Sequence, residues 1–414
     1  MKIKKQYFVV AFLMANIFSF ETVSAQPKVG DLFPAWTEGT LDIHHINTGK
    51  GECAFFLLPD GTTMLVDAGA SNRTERVTPP KPDNSRTPGE WITRYILQMM
   101  RQLPEKKLNY IMVTHFHDDH MGAVSPESKK HEQGDFLLSG ITEVGENIPF
   151  DKIVDRNWPD YNWPIPLRQG MVQNYRKFIE WKSVHQGVLA EQFRVGAHDQ
   201  FALVHHPDRY PNFEIRNIAS NGHVWTGAGN NVRNHFPPLE SIPNEDMPDE
   251  NQCSSAFRLS YGKFDYFTGG DISNVHFPGH WRDIESPVGL ATGPVDVCVA
   301  NHHAYTDVMG APFLSAVRPK VIIVQVFAPS QPDNSALGRM LSKRIYPGER
   351  DIFATNVMDE TRTVIGGALM QLKSQQGHIV VRVSPGGNDY MIYILDDSAE
   401  SFKIKSIHGP YVCD

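Results

Sequence analysis

Cysteine is scarce in this 414-residue chain, and basic side chains do not outnumber acidic ones. Four cysteines (Cys53, Cys253, Cys298 and Cys413) are too few for a disulfide-dense scaffold, and they are compatible with disulfides or with free buried thiols. The net charge of −8 argues against a bulk nucleic-acid binder, which needs a positive surface to displace the counterions of phosphates. Because 41% of the residues are apolar, the chain can bury a large core, and this argues against disorder.

Long apolar runs are missing except near the N-terminus. Residues 7–20 form an uncharged, mostly apolar stretch after a lysine-rich start, and small residues precede Gln26. This order is typical of a cleaved signal peptide, because about 14 apolar residues fall short of the roughly 20 that a spanning helix needs. We expect a signal peptide at residues 1–25, no membrane anchor after its cleavage, and a periplasmic or secreted protein. An uncleaved anchor is the alternative.

Apolar patterns and turn residues divide the rest of the chain into strands and helices. Residues 41–113 follow the order strand, strand, strand, helix, strand, which favours a layered α/β domain. Residues 125–212 are polar and broken by prolines, with one helix expected around Val172 to Ile179. Strand patterns return from Phe213 onward, and neither an internal repeat nor a low-complexity tract is present.

The segment from Thr114 to His120 reads T-H-F-H-D-D-H and follows a predicted buried strand. His115 and His117 are two residues apart, so they can converge on one cation. Asp119 and His120 follow where the chain turns, so they can face a second cation. Imidazole together with carboxylate suits zinc, and also iron or manganese. We therefore predict two divalent metal ions, with Zn²⁺ preferred and Mn²⁺ or Fe as alternatives.

Further ligand-type residues follow other predicted strands. They are Asp67 in D-A-G, His223 in N-G-H, Asp271 in T-G-G-D, and the pair His302 and His303. Together with the motif at residues 115–120, they resemble the metallo-β-lactamase fold superfamily. Within it, the chain resembles the branch that contains the hydrolase domain of the DNA-uptake competence protein.

Three short motifs relate the chain to that branch. Residues 47–53 read N-T-G-K-G-E-C where the branch has approximately D-V-G-Q-G-D-A, before a strand, a turn and the shared D-A-G. Residues 251–254 fit the branch's N-x-x-S, and residues 302–304 read H-H-A where the branch has H-H-G. The likeness covers somewhat under half of the chain. No membrane channel accompanies it, so DNA uptake is not implied.

The resemblance implies an α/β fold, a four-layer αββα sandwich with a two-metal site at the strand ends. We expect a single hydrolase domain at 26–414 after the signal peptide predicted at 1–25, because one site draws on ligands from His115 to His303. The core of this domain would comprise residues 41–124 and 213–396, with an insertion at 125–212 after the metal motif. The aromatic residues of that insertion are expected either to stack on a substrate ring or to pack as a structural lobe.

The resemblance also implies a role for each candidate residue. His205 and His206 compete with His223 for the third place at one cation. Neighbouring positions that leave a strand point apart, so only one of His302 and His303 is expected to bind metal, with His303 preferred. The implied metal ligands are His115, His117 and His223 at one cation, Asp119, His120 and His303 at the other, and Asp271 between them. Asp67 would fix a ligand imidazole by a hydrogen bond.

The implied function is an exported hydrolase in which water activated between two metals attacks a small anionic substrate of the phosphodiester type. The candidate catalytic residues are Asp119, His302, His303 and Tyr305, of which the spare histidine or Tyr305 would protonate the leaving group. His117 stands where oxygen-reducing di-iron relatives carry Glu, which favours hydrolysis. The alternatives are hydrolysis of a β-lactam, lactone or thioester on the same fold, and a non-catalytic binding protein.

Overall fold

The structure is a computed structural model that describes residues 27–73, 78–275 and 277–414. The predicted signal peptide at residues 1–25 lies outside the described residues, so it stays a prediction. Within the described ranges, no helix combines the length and the apolar character that a membrane crossing requires.

Strands dominate the described part of the chain. They are β1 (Leu41–His45), β2 (Ala54–Leu57), β3 (Thr63–Val66), β4 (Leu108–Met112), β5 (Phe150–Asp155), β6 (Leu189–Gln192), β7 (Phe213–Ser220), β8 (His223–Trp225), β9 (Val232–Asn234), β10 (Ala256–Tyr261), β11 (Phe264–Thr268), β12 (Val297–Val299), β13 (Val321–Val324), β14 (Asp351–Ala354), β15 (His378–Val383), β16 (Asp389–Leu395) and β17 (Ile404–Val412).

The α-helices connect these strands. They are α1 (Pro88–Met99), α2 (Asp118–Met121), α3 (Ile141–Asn147), α4 (Gly170–Gln186), α5 (Glu285–Thr292), α6 (Ala311–Val317), α7 (Asn334–Leu341) and α8 (Asp359–Ile365). Helix α1 shows why a boundary falls where it does. The Thr87 side chain accepts a hydrogen bond from the Glu90 amide, the Glu90 side chain bonds back to Thr87, and Pro88 occupies the first turn.

Two mixed sheets form the middle of the molecule. The first has the strand order β17-β16-β15-β1-β2-β3-β4-β5-β6, and the second has the order β14-β13-β12-β11-β10-β7-β8-β9. Strands β3 and β4 run parallel in the first sheet, and β11 and β12 run parallel in the second. Within each parallel pair, the loops that follow the two strands therefore leave the sheet at the same edge. All four loops carry candidate site residues.

Three apolar clusters show how the layers stack. One contains alternate residues of the first sheet, such as Phe55, together with the inner faces of α1, α3 and α4. A second lies between the sheets, where Phe56 of β2 packs near Phe257 of β10. The third contains Phe267 of β11 and the inner faces of α5, α6 and α7. The order helix, sheet, sheet, helix confirms the predicted αββα sandwich.

The region from 125 to 212 contributes regular structure to the first sheet. Strand β5 pairs in parallel with β4, and β6 pairs in parallel with β5. The helix expected around residues 172–179 is confirmed as α4, whose buried side chains include Val172, Tyr175 and Ile179. The boundaries proposed for the domain and its insertion stay predictions.

Candidate metal centre

Four loops bring the candidate residues together at one end of the sandwich. Asp67 directly follows β3, and His115 and His117 lie between β4 and α2. Asp271 follows β11 after two glycines, and the His302–His303 pair follows β12. Gly270 has φ +55, and a Cβ there would lie 2.9 Å from Thr114. Glycine therefore permits the loop of one sheet to approach the loop of the other closely.

Three imidazoles surround one oxygen of Asp271. His115 Nε2 lies 3.1 Å from His117 Nδ1 and 3.6 Å from Asp271 Oδ2. His302 Nε2 lies 3.7 Å from the same carboxylate oxygen. His115 and Asp271 are buried, whereas His117 and His302 are partly exposed. We call His115, His117 and His302 with Asp271 Oδ2 the first ligand set.

The other oxygen of Asp271 faces two more imidazoles, and one of these, His303, also faces a second carboxylate, that of Asp119. His120 Nε2 lies 3.1 Å from Asp271 Oδ1 and 3.2 Å from His303 Nε2. His303 Nε2 lies 3.3 Å from Asp119 Oδ2 and 3.5 Å from Asp271 Oδ1. We call Asp119, His120 and His303 with Asp271 Oδ1 the second ligand set. Its four residues are all buried.

The hydrogen bonds of the two central imidazoles show that this cluster fits a cation. His120 Nδ1 lies 2.8 Å from Asp67 Oδ2, and His303 Nδ1 lies 2.9 Å from the Gln325 carbonyl oxygen, so both Nδ1 atoms donate. The two Nε2 atoms, 3.2 Å apart, then carry lone pairs that face each other and Asp271. Asp271 Oδ1 itself makes no hydrogen bond within the described residues. Such a cluster of electron pairs fits a bound divalent cation.

Opposite charges at the centre perturb the pKa values of its buried carboxylate and imidazole groups. Burial alone would raise the pKa of Asp271, but the facing His120, His303 and His302 lower it well below its ordinary value. Burial would lower the pKa of His120, but Asp271 and Asp67 raise it. The carboxylate of Asp271 is therefore ionised and able to coordinate at neutral pH.

Asp67 makes the contacts of a residue that orients a ligand. Besides His120, its carboxylate accepts hydrogen bonds from the Thr114 amide at 2.8 Å and from the Thr114 hydroxyl at 2.7 Å. These contacts fix the start of the motif loop as well as one ligand imidazole. Gly69 packs against the same loop, since a Cβ there would lie 2.1 Å from the Asp119 carbonyl oxygen.

Both His302 and His303 face Asp271, which differs from the expectation that only one of them would. That expectation assumed an extended exit from β12. The chain instead turns through left-handed backbone, with φ 44 at His302, 53 at His303 and 57 at Ala304. In this conformation neighbouring side chains no longer point to opposite faces. The two imidazoles therefore approach different oxygens of one carboxylate.

His223 is not brought into either ligand set. It is exposed, and its Nδ1 lies 3.2 Å from the Asn221 carbonyl oxygen. His205 and His206 bond through their amides to Asp60, beside the N-terminal ends of β3 and β4. They therefore lie at the opposite strand ends from the motif. The sequence suggested His223, His205 or His206 as the third imidazole at one cation. In the structure, His302 is the third imidazole of the first ligand set.

The branch motif N-x-x-S supports both sides of the centre. Asn251 Nδ2 lies 3.3 Å from His302 Nε2, and the Ser254 hydroxyl accepts a hydrogen bond from the Asp271 amide at 3.2 Å. The motif therefore holds two of the metal-ligand candidates at once. Sequence alone did not show this, because the contacts join residues that are far apart along the chain.

Three polar residues near the centre were not singled out from the sequence. Arg73 is half-exposed at the mouth, and its guanidinium pairs with Asp118 and Asp119. Glu52 is buried beside the second ligand set, and burial raises its pKa to about 7. Glu285 is buried under the His302–His303 loop and accepts a hydrogen bond from the Asn301 side chain. Tyr305 lies at the mouth, 38% exposed, with its ring 5.4 Å from that of His302.

Some aromatic residues of 125–212 are buried in the core, and others line a cavity at the surface. Tyr161 and Tyr175 are buried and bond to Asp155. Trp158 and Trp163 line a cavity of about 630 Å³ together with His223. The two tyrosines therefore have a packing role, whereas the two tryptophans border open space next to the strand β8.

Glu285 holds the left-handed loop in place. Its carboxylate accepts hydrogen bonds from the amides of Met309 at 2.6 Å and Gly310 at 2.9 Å. It also accepts from the side chains of Asn301 at 2.9 Å and Asn274 at 2.6 Å. Left-handed backbone at non-glycine residues is costly, so it persists only where surrounding bonds enforce it.

Glu285→Gln should therefore weaken metal binding without touching a ligand. The NH₂ group of the glutamine side chain would face N–H donors in place of an acceptor. Each donor left unpaired in this way costs about 1–3 kcal/mol of stability. We expect the affinity for Zn²⁺, measured by calorimetric titration of the folded protein, to fall by about tenfold. Glu143→Gln is the control, because Glu143 is a buried carboxylate of α3 that accepts a hydrogen bond from Thr87 and belongs to neither ligand set. An unchanged affinity for Glu285→Gln would contradict the positioning role.

A comparison with known proteins gives a match in the part of the chain that carries the His115–His120 motif. Residues 48–169 match the family model described as metallo-beta-lactamase superfamily. The matched region contains Asp67 and the His115–His120 motif, whereas Asp271, His302 and His303 lie beyond it. No curated protein matches the chain. The finer resemblance to the competence-protein branch stays a prediction.

Proposed function

We propose that this protein is an exported, metal-dependent hydrolase that holds two divalent cations and cleaves small phosphodiesters. The observation that carries the proposal is the shared carboxylate of Asp271, whose two oxygens face two separate ligand sets. Cations bound there would supply Lewis acidity and lower the pKa of a water molecule towards neutrality. The export part rests on the sequence pattern of residues 1–25. Mass spectrometry of the protein from expressing cells tests it, and a chain that keeps residues 1–25 would refute cleavage.

The residues of the chain divide the remaining tasks. The ionised Asp271 and Asp119 provide anionic donors, and Asp67 and Gln325 keep the ligand imidazoles in the tautomer that leaves Nε2 free. Both histidines of the 302–303 pair face Asp271, which leaves Tyr305 as the candidate acid. Tyr305 is 38% exposed and its ring lies 5.4 Å from that of His302, which supports this assignment.

An anionic substrate is favoured by the charge at the mouth. The Arg73 side chain is 54% exposed, and its guanidinium pairs with Asp119. Guanidinium groups bind phosphate oxygens by paired hydrogen bonds, so Arg73 is suited to hold a non-bridging oxygen of a phosphodiester. The net acidity of the chain does not oppose this, because cations and Arg73 would supply positive charge locally.

Arg73→Gln should raise the KM for a phosphodiester by about tenfold and change kcat much less. The substitution removes the proposed contact between the guanidinium and a phosphate oxygen, which would stabilise the bound substrate and the transition state alike. Steady-state kinetics with bis(4-nitrophenyl) phosphate measure both constants. Arg94→Gln is the matched control, since Arg94 lies in α1 and pairs with Glu400. Equal KM values for the wild type and Arg73→Gln would contradict the assigned role.

The substrate class is tested by parallel assays of the chain that begins at Gln26. A chromogenic phosphodiester, a phosphomonoester, a β-lactam and a thioester are compared in the same buffer with added Zn²⁺ or Mn²⁺. We expect turnover of the phosphodiester. Turnover of the lactam or thioester alone would replace the proposal with hydrolysis at carbon, and no turnover together with no metal binding would favour a binding protein.

A further inference from the structure

Glu52 is a buried carboxylate that the two ligand sets do not include. It lies in the turn between β1 and β2 and is 1% exposed. Its amide donates to the Asp119 carbonyl oxygen at 2.8 Å, and its own carbonyl accepts from the Gly69 amide at 2.8 Å. These backbone bonds tie Glu52 to the motif loop from both sides. Its position relative to the second ligand set is therefore fixed.

The Glu52 side chain is directed at that set. One ligand atom each from Glu52, His120, Asp271 and His303 lie within 4.8 Å of one another, and all four residues are buried. Oxygens and nitrogens that share one cation at about 2.1 Å lie within about 4.2 Å of each other. The observed cluster therefore needs only a few tenths of an ångström of closure to enclose an ion.

Within the described residues, Oε2 of Glu52 has no hydrogen-bond partner. An imidazole nitrogen, His303 Nδ1, lies 3.8 Å from this oxygen, but it already donates to the Gln325 carbonyl oxygen. The Gln325 side-chain oxygen is an acceptor as well, because it receives the Cys53 amide. A buried carboxylate oxygen without a donor is costly, and a cation in the neighbouring ligand set would satisfy it.

We propose that Glu52 is a further carboxylate donor of the second ligand set, and that it makes the centre a mixed one. The inference rests on the proposed two-cation function. The first ligand set then offers three imidazoles and one carboxylate oxygen, a combination that suits Zn²⁺. The second offers two imidazoles and oxygens from Glu52, Asp119 and Asp271, which suits a harder cation such as Mn²⁺.

The test compares metal binding by the metal-free mature chain and two variants. Glu52→Gln keeps the size of the side chain but removes its charge. Glu143→Gln is the control, because Glu143 is similarly buried and bonds to Thr87 instead. Mn²⁺ binding is followed by electron paramagnetic resonance, and Zn²⁺ binding by calorimetry. We expect Glu52→Gln to lower the affinity for one equivalent of Mn²⁺ by at least about tenfold.

The first equivalent of Zn²⁺ should bind Glu52→Gln and the wild type with equal affinity. The inference is overturned if Glu52→Gln binds Mn²⁺ as the control does, or if both metals weaken by the same factor. A different result would refute the proposed two-cation function: the wild type itself would bind less than one equivalent of either metal. The two failures are therefore distinguishable.

A second measurement needs no variant and covers the case that Glu52→Gln does not fold. Crystals of the wild type grown with both metals give anomalous diffraction at the zinc and manganese absorption edges. We expect zinc between His115 and His117, and manganese beside His120 with a Glu52 oxygen at bonding distance, about 2.0–2.3 Å. A Glu52 carboxylate that stays beyond about 3 Å from both metals would overturn the inference.

Discussion

Asp271→Asn is expected to abolish hydrolysis and to release at least one of two bound cations. Within the described residues, Asp271 is the only residue shared by the first and the second ligand set. An amide is neutral and offers one oxygen in place of two, so the two ligand sets can no longer share it. Loss of several kcal/mol of transition-state stabilisation corresponds to about 10³-fold in rate.

The result is measured by metal analysis of the purified variant and by its turnover of bis(4-nitrophenyl) phosphate. Asp265→Asn is the matched control, because Asp265 lies on the same strand β11 and pairs with Arg258 at the other end. The control should keep its metal and its activity. A variant Asp271→Asn with wild-type metal content and wild-type turnover would remove the bridging role from the account.

His302→Gln should lose zinc from the first ligand set, whereas His223→Gln should retain it. The two variants test which histidine completes that set. His302 Nε2 lies 3.7 Å from Asp271 Oδ2, and its Nδ1 is fixed by Asp307 at 2.9 Å. Removing one of four ligands costs several kcal/mol of metal binding, so we expect an affinity loss of about 10²-fold or more and a similar loss of activity.

Calorimetric titration with Zn²⁺ compares the two variants under one set of conditions. His223 is exposed on β8, so its replacement should leave folding and binding unchanged. If His223→Gln is the variant that loses zinc, the loop after β7 must close over the centre, and the assignment of His302 is wrong. Equal loss in both variants would require five protein ligands at one cation.

Sequence reasoning located the parts of the centre that are dense along the chain. The segment from His115 to His120 places four ligand-type residues within six positions, so its chemistry is visible without a fold. Asp67 and Asp271 were visible because each follows an apolar strand and precedes or follows glycine. Their spatial relation then follows from the parallel pairing of β3 with β4 and of β11 with β12.

Contacts between distant segments were not accessible in the same way. Glu285 reaches the His302 loop only because α5 packs beneath it, and Arg73 reaches Asp119 only through the fold of the loop after β3. The left-handed turn at residues 302–304 has no sequence signal either, since histidine and alanine seldom adopt positive φ. The place of His302 in the first ligand set is therefore a property of the fold that the local sequence does not reveal.

The fold itself was predictable where strands are buried on both faces. β2 (A-F-F-L) and β13 (V-I-I-V) are continuous apolar runs, and β3 (T-M-L-V) departs from one only by its first residue. Edge strands were missed, because β6 reads L-A-E-Q and β9 reads V-R-N, with side chains mostly open to solvent. Such strands are defined by backbone pairing to a neighbour, and short polar sequences do not reveal that pairing.

Catalysis is expected to depend on two cations held around Asp271. The most direct measurement is a titration of the metal-free mature chain with Zn²⁺ or Mn²⁺, in which bound metal and turnover of a phosphodiester are followed together. We expect turnover to be absent without metal and to reach its maximum at two bound equivalents per chain. Full turnover by the metal-free chain, or a maximum reached with less than one bound equivalent, would contradict it.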